Sequence, residues 1–306
     1  GDPAMTTPSP APSGAAPRWL VTGALGMLGR DLVEVLTARG ISVTATDRDD
    51  VDITDLDATR AAVAGHAAVI NTAAWTDVDG AETNEAAAAR INALGPENLA
   101  TACAEVGVPL LHVSTDYVFA GDADQPYQEL AEPAPQNAYG RGKLAGELAV
   151  LRLLPERGYI VRTAWLYGEH GRNFVKTMLR VAGQRDVLEV VDDQRGQPTW
   201  SYALAERLAS LGEVAVAGTA PAGVYHGTAS GETTWFGLAR AVFEEAGLDP
   251  ARVHPTTSDR YPSPTRRPSY SVLSHARWSL AGLAPMADWR TMLTTAMPRV
   301  QPGTTQ

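Results

Sequence analysis

The apolar run Arg18 to Thr22 passes directly into Gly23-Ala-Leu-Gly26-Met-Leu-Gly29, and the helical pattern Arg30 to Arg39 follows without a break. Strand, glycine turn and helix in immediate succession leave few folds open. Gly23 permits a tight turn, Gly26 lets a ligand pyrophosphate approach the backbone, and Gly29 lets the helix lie close on the strand. The start of that helix offers free N–H groups and a partial positive charge to an anion. Gly23, Gly26, Met27, Leu28 and Gly29 are therefore the expected dinucleotide-binding residues of this turn.

The following strand, Ile41 to Thr46, ends in Asp47-Arg48, about twenty residues after the glycines, where an adenosine ribose should lie. Asp47 would accept from a free 2'-hydroxyl and favours NADH, whereas Arg48 can clasp a 2'-phosphate and favours NADPH, so both cofactors stay open. Asp52-Ile53 has the shape of an adenine-edge contact, with Asp52 alternatively an N-cap for the helix Leu56 to Ala64. A third strand, Ala67 to Thr72, leads into Ala73 and Ala74, whose small side chains leave room for a flat ring or a ribose. A helical stretch from Glu85 to Glu105 and a fourth strand, Val108 to Ser114, continue the alternation. The pattern predicts an α/β fold, a Rossmann-type doubly wound parallel sheet, with its ligands along one edge.

Ser114, Thr115 and Asp116 fall at that edge. The polar, Pro-rich stretch Gly121 to Asn137 reads as a loop over it, and a helix then starts at Ala138 with Tyr139 and Lys143 on one face. A ketone receiving hydride develops alkoxide character. A phenol beside an ammonium can supply the proton, Lys143 can also hold the nicotinamide ribose, and Thr115 can orient the substrate oxygen. Thr115, Tyr139 and Lys143 are thus the expected catalytic residues, the last two touching the cofactor as well.

A net charge of −10 argues against a nucleic-acid partner and requires any anion to be met locally. Cys103 is the single cysteine and is expected in the core, and the six histidines lack metal-binding spacing, so no metal is assigned. Residues 1–17 are Pro/Ala/Ser/Thr-rich and are expected to be a disordered tail, with Gly1–Ala4 an appended scar ahead of the natural start, Met5. Neither an export signal nor a membrane-spanning run is present in the sequence, and the expected location is the cytoplasm.

The stretches VTGALGMLGR, INTAAWTDVDGAE, HVSTDYVFAG, YGRGKLAGE, VRTAWLYG, VVDDQRGQPT, GVYHGTASGETTW and TRRPSYSVL, in this order, resemble the dTDP-4-dehydrorhamnose reductase family of extended short-chain dehydrogenases/reductases. The glycine spacing GxxGxxG is also the variant associated with extended short-chain reductases. The likeness runs from Trp19 to about Met297. It implies reduction of the C4 ketone of a dTDP-6-deoxy-L-hexulose by NADPH or NADH, with Thr115, Tyr139 and Lys143 carrying the chemistry. It further implies that Thr76, Val78, Asp116 and Trp165 line the sugar pocket, in a monomer or homodimer. Some members use magnesium, but Asp31 stands where that subgroup has a longer Glu.

Residues 18–163 with parts of 199–230 are expected to form the nucleotide domain. A smaller, discontinuous substrate domain takes residues 164–198 and 231–300. Within it Thr199 is expected to cap the helix Ser201 to Leu211, and Leu283 to Met297 to form the last helix. Arg266 and Arg267, in the basic loop SDRYPSPTRRPSYS, are candidates to clamp the diphosphate of a nucleotide sugar. Trp165 is read either as a platform for the sugar or as a core residue. Two other functions share these motifs: a catalytically silent relative, which has no need of Thr115, Tyr139 and Lys143 together, and an epimerase or dehydratase. The latter pair an Asp with a Glu after the S/T, where this chain has Asp116-Tyr117. Another NDP-4-ketosugar reductase of deoxysugar biosynthesis also stays open.

Overall fold

A computed structural model describes residues 17–301, so the tail expected to be disordered, residues 1–17, lies almost wholly outside the described residues. In chain order the nucleotide half runs β1 Arg18–Thr22, α1 Met27–Ala38, β2 Ser42–Thr46, α2 Leu56–Val63, β3 Ala68–Asn71, α3 Val78–Thr83, α4 Glu85–Ala89, α5 Gly95–Val106, β4 Leu110–Thr115, α6 Ala138–Leu153 and β5 Gly158–Thr163. There follow β6 Leu166–Tyr167, α7 Phe174–Ala182, β7 Leu188–Val191, β8 Arg195–Gly196, β9 Thr199–Trp200, α8 Ser201–Ala217, β10 Gly223–His226, β11 Thr233–Thr234, α9 Trp235–Glu245, β12 Val253–Thr256 and α10 Trp289–Val300.

Six strands form one parallel sheet in the order β10-β5-β4-β3-β1-β2. The chain reverses its direction of travel across the sheet between β1 and β3, and such a switch point opens a crevice at the carboxyl ends of the strands. Apolar side chains alternate between the two faces: Trp19 and Val21 of β1 join the core shared with α1 and α8, while Leu20 joins the core under α2, α5 and α6. Cys103 is buried in that second core, as its sequence setting suggests. The remaining strands pair two by two outside the main sheet.

The glycine turn is a packing solution before it is a binding site. Gly23 has φ +74°, and a Cβ there would sit 2.5 Å from the backbone nitrogen of Ala73, in the turn after β3. A Cβ at Gly29 would lie 2.0 Å from Gly23 O, so α1 can approach β1 this closely only with glycine at that position.

Several boundaries differ from expectation for local reasons. The residue capping α2 is Asp55, which accepts from Ala58 N, while Asp52 accepts from Thr54 N and Oγ1 in its own short turn. Thr199 does not cap α8: its hydroxyl donates to Gln197 O and accepts from Ala229 N, joining two loops. The last helix begins at Trp289, because Asp288 accepts from Arg290 N and sets the start there, and a short 3₁₀ stretch at Ala276–Ala281 precedes it. The α8 helix extends to Ala217, ending at Gly218 in the left-handed region.

Gly29→Ala is expected to destabilise the protein by about 2 kcal/mol or more, since the added methyl meets backbone and not a movable side chain. A urea midpoint equal to that of the unsubstituted protein would show that α1 is not held against the turn as described.

Candidate active site

A cleft of about 780 Å³ runs along the carboxyl edge of the sheet from the glycine turn to the start of α6. At the first end α1 begins with neither a side-chain cap nor an acidic residue. The N–H groups of Met27, Leu28 and Gly29 consequently have no intrahelical acceptor. A Cβ at Gly26 would meet nothing nearer than 3.5 Å, so packing within the fold does not require glycine there.

Asp47 braces this turn. Its Oδ2 accepts from Leu25 N at 2.9 Å and its Oδ1 from Arg48 N at 2.7 Å, and each oxygen retains capacity for a ligand hydroxyl. Arg48 is exposed at the same rim, and its guanidinium makes no hydrogen bond or ion pair among the described residues. Asp52 and Ile53 line the wall beside it. Ala73, Ala74, Thr76 and Val78 line the middle of the cleft, where Asn92 holds the strand-end loop: its Oδ1 accepts from Trp75 N at 2.8 Å and its Nδ2 donates to Trp75 O at 3.1 Å. Asn92 lies on a single π-helical turn, Arg90–Leu94, and a buried amide in an Ala-rich helix was the signal for it.

The far end brings together Thr115, Asp116, Tyr139 and Lys143. Thr115 closes β4, and α6 starts beside it because Asn137 caps the helix, accepting from Gly140 N at 2.8 Å, while Glu82 accepts from Ala138 N at 2.6 Å. The Thr115 hydroxyl donates to Asp116 Oδ1 at 3.1 Å and accepts from Tyr117 N at 3.1 Å. The ring of Tyr117 meets that of Tyr139 edge-on at 5.5 Å.

Lys143 lies on the same helix as Tyr139, one turn further on. Its Nζ donates to Val113 O at 2.8 Å, the acceptor a buried ammonium finds at the end of β4. Burial shifts every titratable group here toward its neutral form. It pushes the Asp116 carboxyl up to about 7, against hydrogen bonds from Thr115 and Ser271. It brings Lys143 down to about 8, partly countered by the Glu147 carboxylate, and raises the Tyr139 phenol above its ordinary range. Buried His112, beside Lys143, is held well below its usual value and is neutral.

Trp165 lines the cleft in a left-handed backbone conformation, φ +52°, which a bulky residue adopts only when its surroundings impose it. Its ring stacks on Trp235 at 3.7 Å, so the half-buried side chain is packed on one side and borders the cleft. Arg266 and Arg267, by contrast, stand off the lining. Arg266 is exposed, and Arg267 pairs with Asp79 at 3.0 Å and donates to Tyr117 Oη at 3.4 Å, reaching the site only through that tyrosine. Among the lining residues not expected from the sequence are Thr163, whose buried Oγ1 has no partner among the described residues, and Arg172. The strand end VRT signals Thr163; nothing local marks Arg172. Asp31 is buried, accepts from Ser201 and faces His170 at 3.8 Å.

Residues 18–301 match the family described as the RmlD substrate binding domain. The chain belongs to the RmlD family. Within and around that family it is 56% identical to a dTDP-4-dehydrorhamnose reductase of Streptomyces griseus, over 92% of this chain and 93% of the relative. It is 50% identical to a dTDP-4-keto-6-deoxy-D-glucose reductase of Streptomyces niveus, over 92% and 96%. Its fold is similar to the Bacillus anthracis dTDP-4-dehydrorhamnose reductase solved in complex with NADP, at TM-score 0.87 and 36% identity, covering 92% of this chain and 99% of that one.

The burial of Asp116 has a consequence for stability. Between about pH 4 and about pH 7 the folded protein keeps a proton on Asp116 that the unfolded chain has released, so this residue lowers stability as pH rises through that window. Asp116→Asn is expected to gain on the unsubstituted protein across it, by about 4 kcal/mol at most. Urea unfolding of both proteins at the two ends of the window checks this, and a constant difference would mean that Asp116 does not titrate there.

Proposed function

We propose that the chain reduces the C4 ketone of a dTDP-4-keto-6-deoxy-L-hexose, dTDP-4-dehydrorhamnose to dTDP-L-rhamnose, with NADPH or NADH, in the cytoplasm. The observation that carries this reading is the convergence of Thr115, Tyr139 and Lys143 at one end of a cleft whose other end is the uncapped start of α1. The bare Gly26, the free N–H groups of α1 and the unpaired Arg48 fit a phosphorylated dinucleotide, and the NADP-bound relative supports that choice. Such a cofactor supplies the hydride.

In this reading the chain's own residues orient the ketone and handle the proton. Thr115, already accepting from Tyr117 N, positions the substrate oxygen. Tyr139, kept protonated by its buried setting, gives its phenolic proton to that oxygen as it gains negative charge. Lys143 supplies the nearby positive charge, and its buried position makes that charge sensitive to alkaline pH near about 8. Thr76, Val78, Asp116 and Trp165 border the sugar, with Trp165 immobilised by Trp235. Tyr117 occupies the position after Asp116 where a dehydratase or epimerase would place a Glu.

A second sugar is favoured by one observation: the Streptomyces niveus relative, named for reduction of dTDP-4-keto-6-deoxy-D-glucose, is nearly as similar as the rhamnose-forming one. Oxidation of NADPH and NADH with each 4-ketosugar, and NMR of the product at C4, separates the two. Turnover of neither sugar overturns the reading.

Tyr139→Phe is expected to slow the chemical step about a hundredfold or more while the cofactor still binds. Normal turnover in single-turnover assays would remove the tyrosine from the mechanism. Replacing Arg48 with Ala is expected to weaken NADPH about tenfold and NADH much less, because only the former carries a 2'-phosphate for the free guanidinium. Equal losses in direct titration would reject that contact.

A further inference from the structure

The segment between β6 and α7 crosses the first turn of α1. A Cβ at Gly171 would lie 3.6 Å from Met27 Cβ. Asn173 Nδ2, which donates to Gly168 O at 2.9 Å and Gly171 O at 3.4 Å, stands 4.0 Å from Met27 Sδ. Lys176 Nζ donates to Glu169 O, and His170 faces Asp31 of α1 at 3.8 Å, so the segment is tied at both ends. Arg172 sits on this strap, lines the cleft, is exposed, and makes no hydrogen bond or ion pair among the described residues.

Three cationic side chains line the cleft: Arg48 after β2, Lys143 buried at the far end, and Arg172 on the strap whose Gly171 and Asn173 lie against Met27, the first residue of the uncapped α1. A helix terminus supplies roughly half a positive charge, which leaves much of a diphosphate's charge unmatched in a chain of net charge −10. We propose that Arg172 binds the diphosphate of the bound dinucleotide, on the side of that group facing away from the sheet. The proximity of the strap to Met27, and not to Thr115 or Tyr139, selects the cofactor's diphosphate over that of the nucleotide sugar. The inference rests on the reductase reading and adds a cofactor-binding residue to it. Arg172 differs from Arg48 in the moiety it recognises: both reduced dinucleotides carry the diphosphate.

The experiment is titration of NADH and NADPH, by nucleotide fluorescence or calorimetry, into the full chain and its Arg172→Gln and Arg172→Lys variants, together with KM for the 4-ketosugar. Arg172→Gln is expected to raise Kd about tenfold for both dinucleotides, by the same factor, with partial recovery in the Lys variant. Weakening of NADPH alone would assign the guanidinium to the 2'-phosphate. A rise in KM for the ketosugar alone would assign it to the substrate's diphosphate, and unchanged constants would leave it unbound; each of these overturns the proposal. If the unsubstituted protein binds neither dinucleotide, the reductase reading itself falls and this inference falls with it.

Discussion

An ion pair shut away from water joins the elements that carry the site. Glu147 on α6 and Arg162 on β5 are 1% and 3% exposed and meet through two hydrogen bonds of 2.7 and 2.9 Å. Ser114 Oγ donates to the same carboxylate at 2.5 Å, so β4, β5 and α6 share one anchor. Arg162 continues to Glu129 O and to His226 Nε2, both at 3.3 Å, and stands over the Phe119 ring. Burial and the neighbouring guanidinium hold His226 well below its ordinary value, so it is neutral, with Nδ1–H donating to Ser274 O and Nε2 accepting. An exchange of such a pair for apolar groups is often neutral in stability. Its consequence here is geometric: the end of β4, with Thr115, is held against the helix that presents Tyr139 and Lys143.

The same dryness governs the chemistry. A low-dielectric setting disfavours charge, so Asp116, Tyr139 and Lys143 are all moved toward their neutral forms. Glu147, one turn beyond Lys143 on α6, opposes that tendency for the ammonium. The opposite end of the cleft offers backbone N–H groups at the uncapped start of α1 and two exposed guanidinium groups with no partner among the described residues. An acidic protein can therefore accept anionic ligands, because positive potential is confined to the wall that needs it.

Trp165 shows how far the wall depends on long-range packing. Its ring lies flat on Trp235, seventy positions along the chain, and its carbonyl accepts from Thr199 N. A Cβ at Gly196 would fall 2.5 Å from the indole, so the facing strand is bare where the ring passes. Together these contacts impose a backbone conformation that the tryptophan would not choose alone.

Much was legible in the order of residues. The strands and helices of the nucleotide half, the glycine turn and the Tyr139–Lys143 spacing all follow from local periodicity, turn chemistry and helix geometry, which act over a few residues. The misread positions are those where a polar side chain had several partners in reach. Thr199 serves two loops instead of a helix, and Asp55 and not Asp52 caps α2. Sequence alone determined the fold class, the dinucleotide turn and the residue types available for hydride and proton chemistry. Only the tertiary structure decided that Lys143 reaches Val113 O, that Glu147 and Arg162 close on each other, and that the strap carrying Arg172 crosses the start of α1. Those pairings join elements distant in the chain, and they are set by burial and competition among acceptors, which no local pattern encodes.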